Sequence, residues 1–189
     1  HLAAHFVGSD DVQVGEIATK HLIDIGRERI AHIGGKHTSP SFDRLRGYRN
    51  ALAAGGLTAP ESYVVERERV EETGDESGFQ AMQELLLLDP RPDAVFCYND
   101  LTAVGAMAAT LQAGLRIPDD IAFIGCGNFR YADYLRVPLS SVDQGTAEMG
   151  RIAGEFALEL STKPEQEPRS VLTKSKVVVR ESSVASSGK

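Results

Sequence analysis

The chain has no tryptophan and only two cysteines, Cys97 and Cys126, among its 189 residues. Two cysteines cannot build the disulfide framework of a small secreted scaffold. Each sits near the end of a predicted strand and reads as a reduced, buried small hydrophobe. Long apolar runs are also missing: Leu85–Leu88 is typical, far short of the ~20 residues needed to span a bilayer. Positive charge is in deficit, with 20 basic against 27 acidic side chains and a formal charge of -7. That balance opposes general attraction to a polyanion, so this stretch alone is a poor binder of DNA or RNA. The five histidines, His1, His5, His21, His32 and His37, form no HExxH, and GxSxG, GxGxxG and GxxxxGK[ST] are all absent. No catalytic residue, metal ligand or cofactor is therefore expected. His1 to His5 has neither the basic start nor the apolar core of a signal peptide.

What is present is a regular alternation of strands and helices. Leu2–Val7 reads as the tail of a strand, and Val14, Ile17, Ala18, His21, Leu22 and Ile25 recur at helical spacing until Gly26. Ile30–Gly35 follows as a buried strand. A second helix, capped by Ser41 or Asp43, runs through Leu45, Tyr48 and Leu52 to Gly55-Gly56. Tyr63–Val65 is a strand, Glu66–Gly74 a charged loop, and Glu76–Leu88 a third helix broken by Pro90 and Pro92. Strand Ala94–Cys97 leads into a small-residue helix from Asp100 to about Ala113. Strand Ala122–Gly125, a helical turn over Phe129–Tyr134, strand Pro138–Val142 and an amphipathic helix from Gln144 to Leu160 follow. A linker over Lys163–Pro168, a last strand Lys176–Arg180 and a frayed tail from Ser182 to Lys189 close the chain. The pattern predicts an α/β fold, a doubly wound parallel sheet with helices on both faces.

Open parallel sheets bind ligands beyond the carboxyl ends of their strands. Thr38, Ser39 and Arg44 follow the first full strand, Phe96, Tyr98, Asn99 and Asp100 the third, Asn128 the fourth, and Gln144 the fifth. Amides, hydroxyls, an arginine and aromatic faces suit a small hydroxylated molecule, and no activated nucleophile stands among them. The expectation is a binding site without catalysis.

Several segments together resemble the effector-binding core of the LacI/GalR family of bacterial transcription regulators. They are HLIDIGRERIAHIGG, DRLRGYRNAL, PDAVFCYNDLTAVGAM, GLRIPDDIAFIG, VPLSSVDQ, MGRIAGE and VVVRESS. The resemblance implies a periplasmic-binding-protein-like type I fold, of which this chain supplies mainly the C-terminal subdomain. Residues 1–7 would be a remnant of the N-terminal subdomain and 8–143 the C-terminal one. Residues 144–163 would return as a helix to the N-terminal subdomain, 164–184 would form the crossover and last strand, and 185–189 the tail. It further implies that Arg44 and Asn99, with Asp100 beside it, contact effector, and that Phe96 and Tyr98 lie where aromatic contacts occur. Gly127 departs from the family's usual acid and removes an acceptor for sugar hydroxyls or purine nitrogens.

By the same resemblance the expected partners are a sugar or nucleoside effector and a second copy of the chain, met through Val104, Met107, Tyr134 and Leu135. Operator DNA would be reached only through a headpiece outside this chain, and no membrane is involved. The expected function is effector sensing in a cytoplasmic transcription regulator, a repressor. The alternative is a periplasmic sugar-binding protein for transport.

Overall fold

The computed structural model describes residues 4–35, 38–66 and 74–184. Lys36 and His37 of the first expected loop, most of the charged loop after Glu66 and the end of the tail lie outside the described residues. Strands β1 (Phe6–Ser9), β2 (Ile30–Ile33), β3 (Val64–Val65), β4 (Ala94–Cys97), β5 (Ala122–Cys126), β6 (Ser140–Asp143), β7 (Ser170–Thr173) and β8 (Lys176–Val178) alternate with five helices. These are α1 (Asp11–Asp24), α2 (Ser39–Ala54), α3 (Gly74–Leu86), α4 (Asp100–Gln112) and α5 (Thr146–Thr162). The main sheet has the order β3-β2-β4-β5-β6-β8, and a two-stranded sheet pairs β1 with β7. The neighbours from β3 through β6 are parallel, whereas β8 runs antiparallel to β6 at the edge. The fold is α/β with parallel-dominated sheets, as the alternating pattern predicted.

Strand alternation sorts the core into two layers. Ile30, Ala94, Phe96, Ala122 and Ile124 meet Val14, Ala18 and Leu22 of α1 and Leu45, Tyr48 and Leu52 of α2. Ala31, Ile33, Val95, Cys97 and Phe123 meet α3 and α4 on the opposite face. Both cysteines are buried and free, and they belong to opposite faces, Cys97 in the second layer and Cys126 in the first. A sheet covered on both faces buries every residue of its central strands, and β2, β4 and β5 are buried throughout.

Each helix pair crosses at glycines. A Cβ on Gly15 would stand 2.2 Å from the Arg44 carbonyl oxygen, and one on Gly47 would stand 2.1 Å from that of Val12. On the other face, Cβ atoms on Gly78 and Gly105 would come within 2.0 Å of the Thr102 oxygen and 1.7 Å of the Asp75 oxygen. Backbone therefore packs on backbone, and the helices cannot shift past one another without a clash.

Two expectations are corrected here. Helix α2 begins at Ser39 after Thr38, with Pro at its first positions, because Pro40 has no N–H to satisfy and favours a helix start. Neither Ser41 nor Asp43 is the cap, and Arg44 lies in the second turn. Ser182 and Ser183 are not frayed but buried. Ser182 Oγ donates to the Phe123 carbonyl at 2.8 Å and accepts the Ser140 N–H at 2.8 Å, and its backbone N–H donates to the Pro138 carbonyl. Strand β7 was not foreseen, since it exists only through pairing with β1.

Helix α5 has no buried residue. It packs beside β1, where the Phe156 ring meets His5 edge-on at 5.4 Å and the Arg169 guanidinium at 4.5 Å. No helix among the described residues is long and apolar enough to cross a membrane.

Candidate functional site

The carboxyl ends of β2, β4, β5 and β6 form one edge. Arg44 is its anchor. Only 7% exposed, it directs Nε and Nη2 to Asp11 Oδ1 at 2.8 and 2.7 Å and Nη1 to the Tyr98 carbonyl at 2.7 Å. Its guanidinium also lies 4.7 Å from the Tyr98 ring centroid. Tyr98 packs on Gly35, where a Cβ would come within 2.6 Å of the ring. Asp11 occupies the first turn of α1, where a carboxylate suits the positive helix end.

Asn99 is the N-cap of α4: its Oδ1 accepts the Thr102 N–H at 2.8 Å. Among the described residues its Nδ2 has no partner. Asp100, fully buried, accepts from Ser141 Oγ at 2.6 Å and from the Phe129 N–H at 2.9 Å. Burial pushes its carboxyl above the ordinary range, against the lowering effect of these bonds. Ser141 in turn accepts the Asn128 N–H at 2.9 Å. Asn128, in the left-handed region at φ 51, receives Arg180 Nη2 on its Oδ1 at 2.8 Å. Its Nδ2 faces Asp143 Oδ2 at 3.4 Å, and Asp143 Oδ1 accepts the Gly145 N–H.

Gln144 lies where three segments cross. Its Nε2 donates to Ser9 Oγ at 2.6 Å, while Thr173 Oγ1 contacts the carbonyls of Gln144 at 2.6 Å and Gly8 at 3.2 Å. Residues near 9, 144 and 173 are thus tied side by side between the two sheets.

The edge brings Arg44, Tyr98 and Asn99 together, with Asn128 on the neighbouring strand end. It does not include Phe96. That ring is fully buried, 4.8 Å from the His32 ring, because it points into the core shared with α1 and α2. Asp100 is likewise a strut between strands, its two oxygens engaged by Ser141 and Phe129. Thr38 and Ser39 are exposed beside the loop. Of the residues expected at a dimer contact, Tyr134 is 77% exposed and Val104 and Leu135 are half-buried, but Met107 belongs to the core. Asp11, Ser141, Arg180 and Phe129 were missed. Only Phe129 had a local signal, an aromatic directly after a Gly-Asn turn.

His32 is a packed core residue: Nδ1 pairs with the Phe96 carbonyl at 3.0 Å, and Nε2 has no partner among the described residues. Burial lowers its pKa to about 4. A surface groove between α1 and α2, lined by Ile17, Ile23, Ala51 and Ala54, lies toward the far ends of those helices.

A doubly wound sheet gathers an arginine, a tyrosine and amides at its strand ends, and three chain segments run side by side from it to a second sheet. Residues 19–183 match the periplasmic binding protein-like domain family, and the chain belongs to it. It is 38% identical over 169 residues to the ribose operon repressor of Haemophilus influenzae, covering 89% of this chain and 50% of that protein. It is 33% identical over 174 residues to the HTH-type transcriptional repressor PurR of Photobacterium profundum, covering 90% and 50%. A solved complex of the transcriptional regulator CelR with cellobiose superposes with a TM-score of 0.86 at 34% identity, over 95% of this chain and 54% of that one. The chain spans about half the length of the curated relatives it matches.

Proposed function

We propose that this chain is the effector-sensing part of a cytoplasmic, DNA-binding bacterial transcription regulator, a repressor that answers a small hydroxylated ligand such as a sugar or nucleoside. The observation that carries the reading is the anchored set Arg44, Tyr98 and Asn99 at a sheet edge, in a chain that matches repressors along most of its length. Amide and guanidinium donors suit the hydroxyls of such a ligand, which supports a binding role for this edge. Residues 10–143 and 174–184 form one lobe, and β1, α5 and β7, which lie together in and beside the second sheet, belong to the other. Ligand taken between the lobes shifts their closure, and closure sets DNA affinity through a headpiece outside this chain. A second copy docks through Val104, Tyr134 and Leu135. Similarity to repressors favours this reading over transport.

The test is fluorescence anisotropy of the full-length protein on DNA from its own upstream region, across salt and with a sugar and nucleoside panel. Sequence-specific binding that one ligand shifts is the expected result. Specific binding unaffected by any ligand, or no specific binding, would overturn the proposal.

A further inference from the structure

We infer that Phe129, backed by Tyr131, is a stacking platform for the ring of an uncharged sugar, and that Gly127 is there to make room for it. The inference rests on the ligand-sensing reading above.

Phe129 is 55% exposed and Tyr131 38%. Their rings are nearly parallel, 5.7 Å apart at 8°, so the pair offers a flat apolar face at the surface rather than two loose side chains. The face is held in place from behind: the Phe129 N–H is fixed to the buried Asp100 carboxylate. Gly127 takes φ 128, and a Cβ there would stand 2.8 and 3.0 Å from Cε2 and Cδ2 of the Phe129 ring. A side chain at residue 127 and the Phe129 ring therefore compete for one space. The missing acid at Gly127 and the aromatic at Phe129 are one exchange, an acceptor for a ring face.

The platform continues the edge already described. Arg44 donates to the Tyr98 carbonyl, two residues before Asp100, and Asp100 in turn holds Phe129. Asn128 and Asp143 flank it with polar groups. The charge of Arg44 is matched by Asp11, and Asp143 adds a carboxylate. Lys176, the register partner of Asp143 on β8, is exposed and makes no ion pair with it among the described residues. The exposed Arg130 likewise makes no ion pair among the described residues, but both cations stand in solvent, where their attraction for a phosphate is screened, whereas a sugar presents a C–H face to the ring and hydroxyls to its rim.

The experiment is calorimetry on the full-length protein with ribose, glucose, cellobiose, ribose 5-phosphate and glucose 6-phosphate, comparing the natural chain with Phe129→Ala, Phe129→Trp and Arg44→Ala. Phe129→Ala should weaken the best uncharged sugar by about tenfold, while Phe129→Trp stays within about threefold. The introduced indole should change emission when that sugar is added, and the phosphorylated sugars should bind more weakly than their parents. Unchanged affinity in Phe129→Ala overturns the inference. So does a change in sedimentation with unchanged affinity, which would mark the ring pair as a surface for a second copy, or preference for a phosphorylated sugar. If no sugar binds the natural chain, the inference falls, and the ligand-sensing reading falls with it only if no nucleoside shifts DNA binding in the anisotropy test either.

Discussion

Removing the carboxylate of Asp11 should destabilise the chain by about 2–3 kcal/mol. Breaking a fully buried ion pair by deleting one partner costs about 3–5 kcal/mol, mostly because the remaining charge stays desolvated. Here the Arg44 and Asp11 side chains are 8% and 16% exposed, which places the pair close to that limit. The Tyr98 carbonyl and ring stay beside the guanidinium and offset part of the loss. Losing an acid from the first turn of α1 adds about 0.3–1 kcal/mol. Urea unfolding of Asp11→Ala at neutral pH, with an unchanged dependence on denaturant, measures the sum. The mechanism makes a second demand: Arg44→Met in the Asp11→Ala background, which removes the stranded charge and keeps the apolar stem, should recover at least half of the loss. A loss below about 0.5 kcal/mol, or no recovery in the double variant, would refute the account of Arg44 as a charge held by Asp11.

Gly105→Ala should cost more than about 2 kcal/mol, since its Cβ would meet backbone rather than a flexible side chain, and a matched Gly150→Ala, where nothing lies within 4 Å, should cost nothing or stabilise α5. His32 gives the chain an acid sensitivity of known sign. Its folded pKa of about 4 lies below the ordinary 6.5, so the unfolded chain binds the extra proton, and stability kept above pH 6.5 is lost as pH falls toward 4, by up to about 3 kcal/mol. Unfolding free energies of the natural chain and His32→Phe should converge in that window. Parallel curves would show that His32 is not the titrating group.

Helices α1 to α4 were legible because each buries a stripe at helical spacing, as Val14, Ala18 and Leu22 do in α1, and α5 was legible from its spacing although it buries no residue. The strands were legible because parallel strands covered on both faces are short apolar runs. Arg44 at the edge could be read because it follows the first strand end. Its partner could not, since Asp11 lies 33 residues away and nothing local marks a pair made by tertiary packing. Phe96 shows the limit in another way. It stands near the polar strand end, but alternation turns its ring inward, and only knowledge of which helices cover that face reveals the burial. Ser182 and Ser183 have the composition of a tail and the bonds of a core, because their partners on β5 and β6 come from elsewhere in the chain.

Those two serines also set an order of events. The Phe123 N–H finds its acceptor in the Ser182 carbonyl, and the Ser140 N–H finds its own in the Ser182 hydroxyl. Both bonds wait for residues that leave the ribosome some forty to sixty positions later. A nascent chain that has emerged only through β6 holds its central strands with donors unmet beneath the sheet. The main sheet is thus completed by residues that follow its last strand, and a stop codon or protease cut just before Ser182 would act on the middle of the fold.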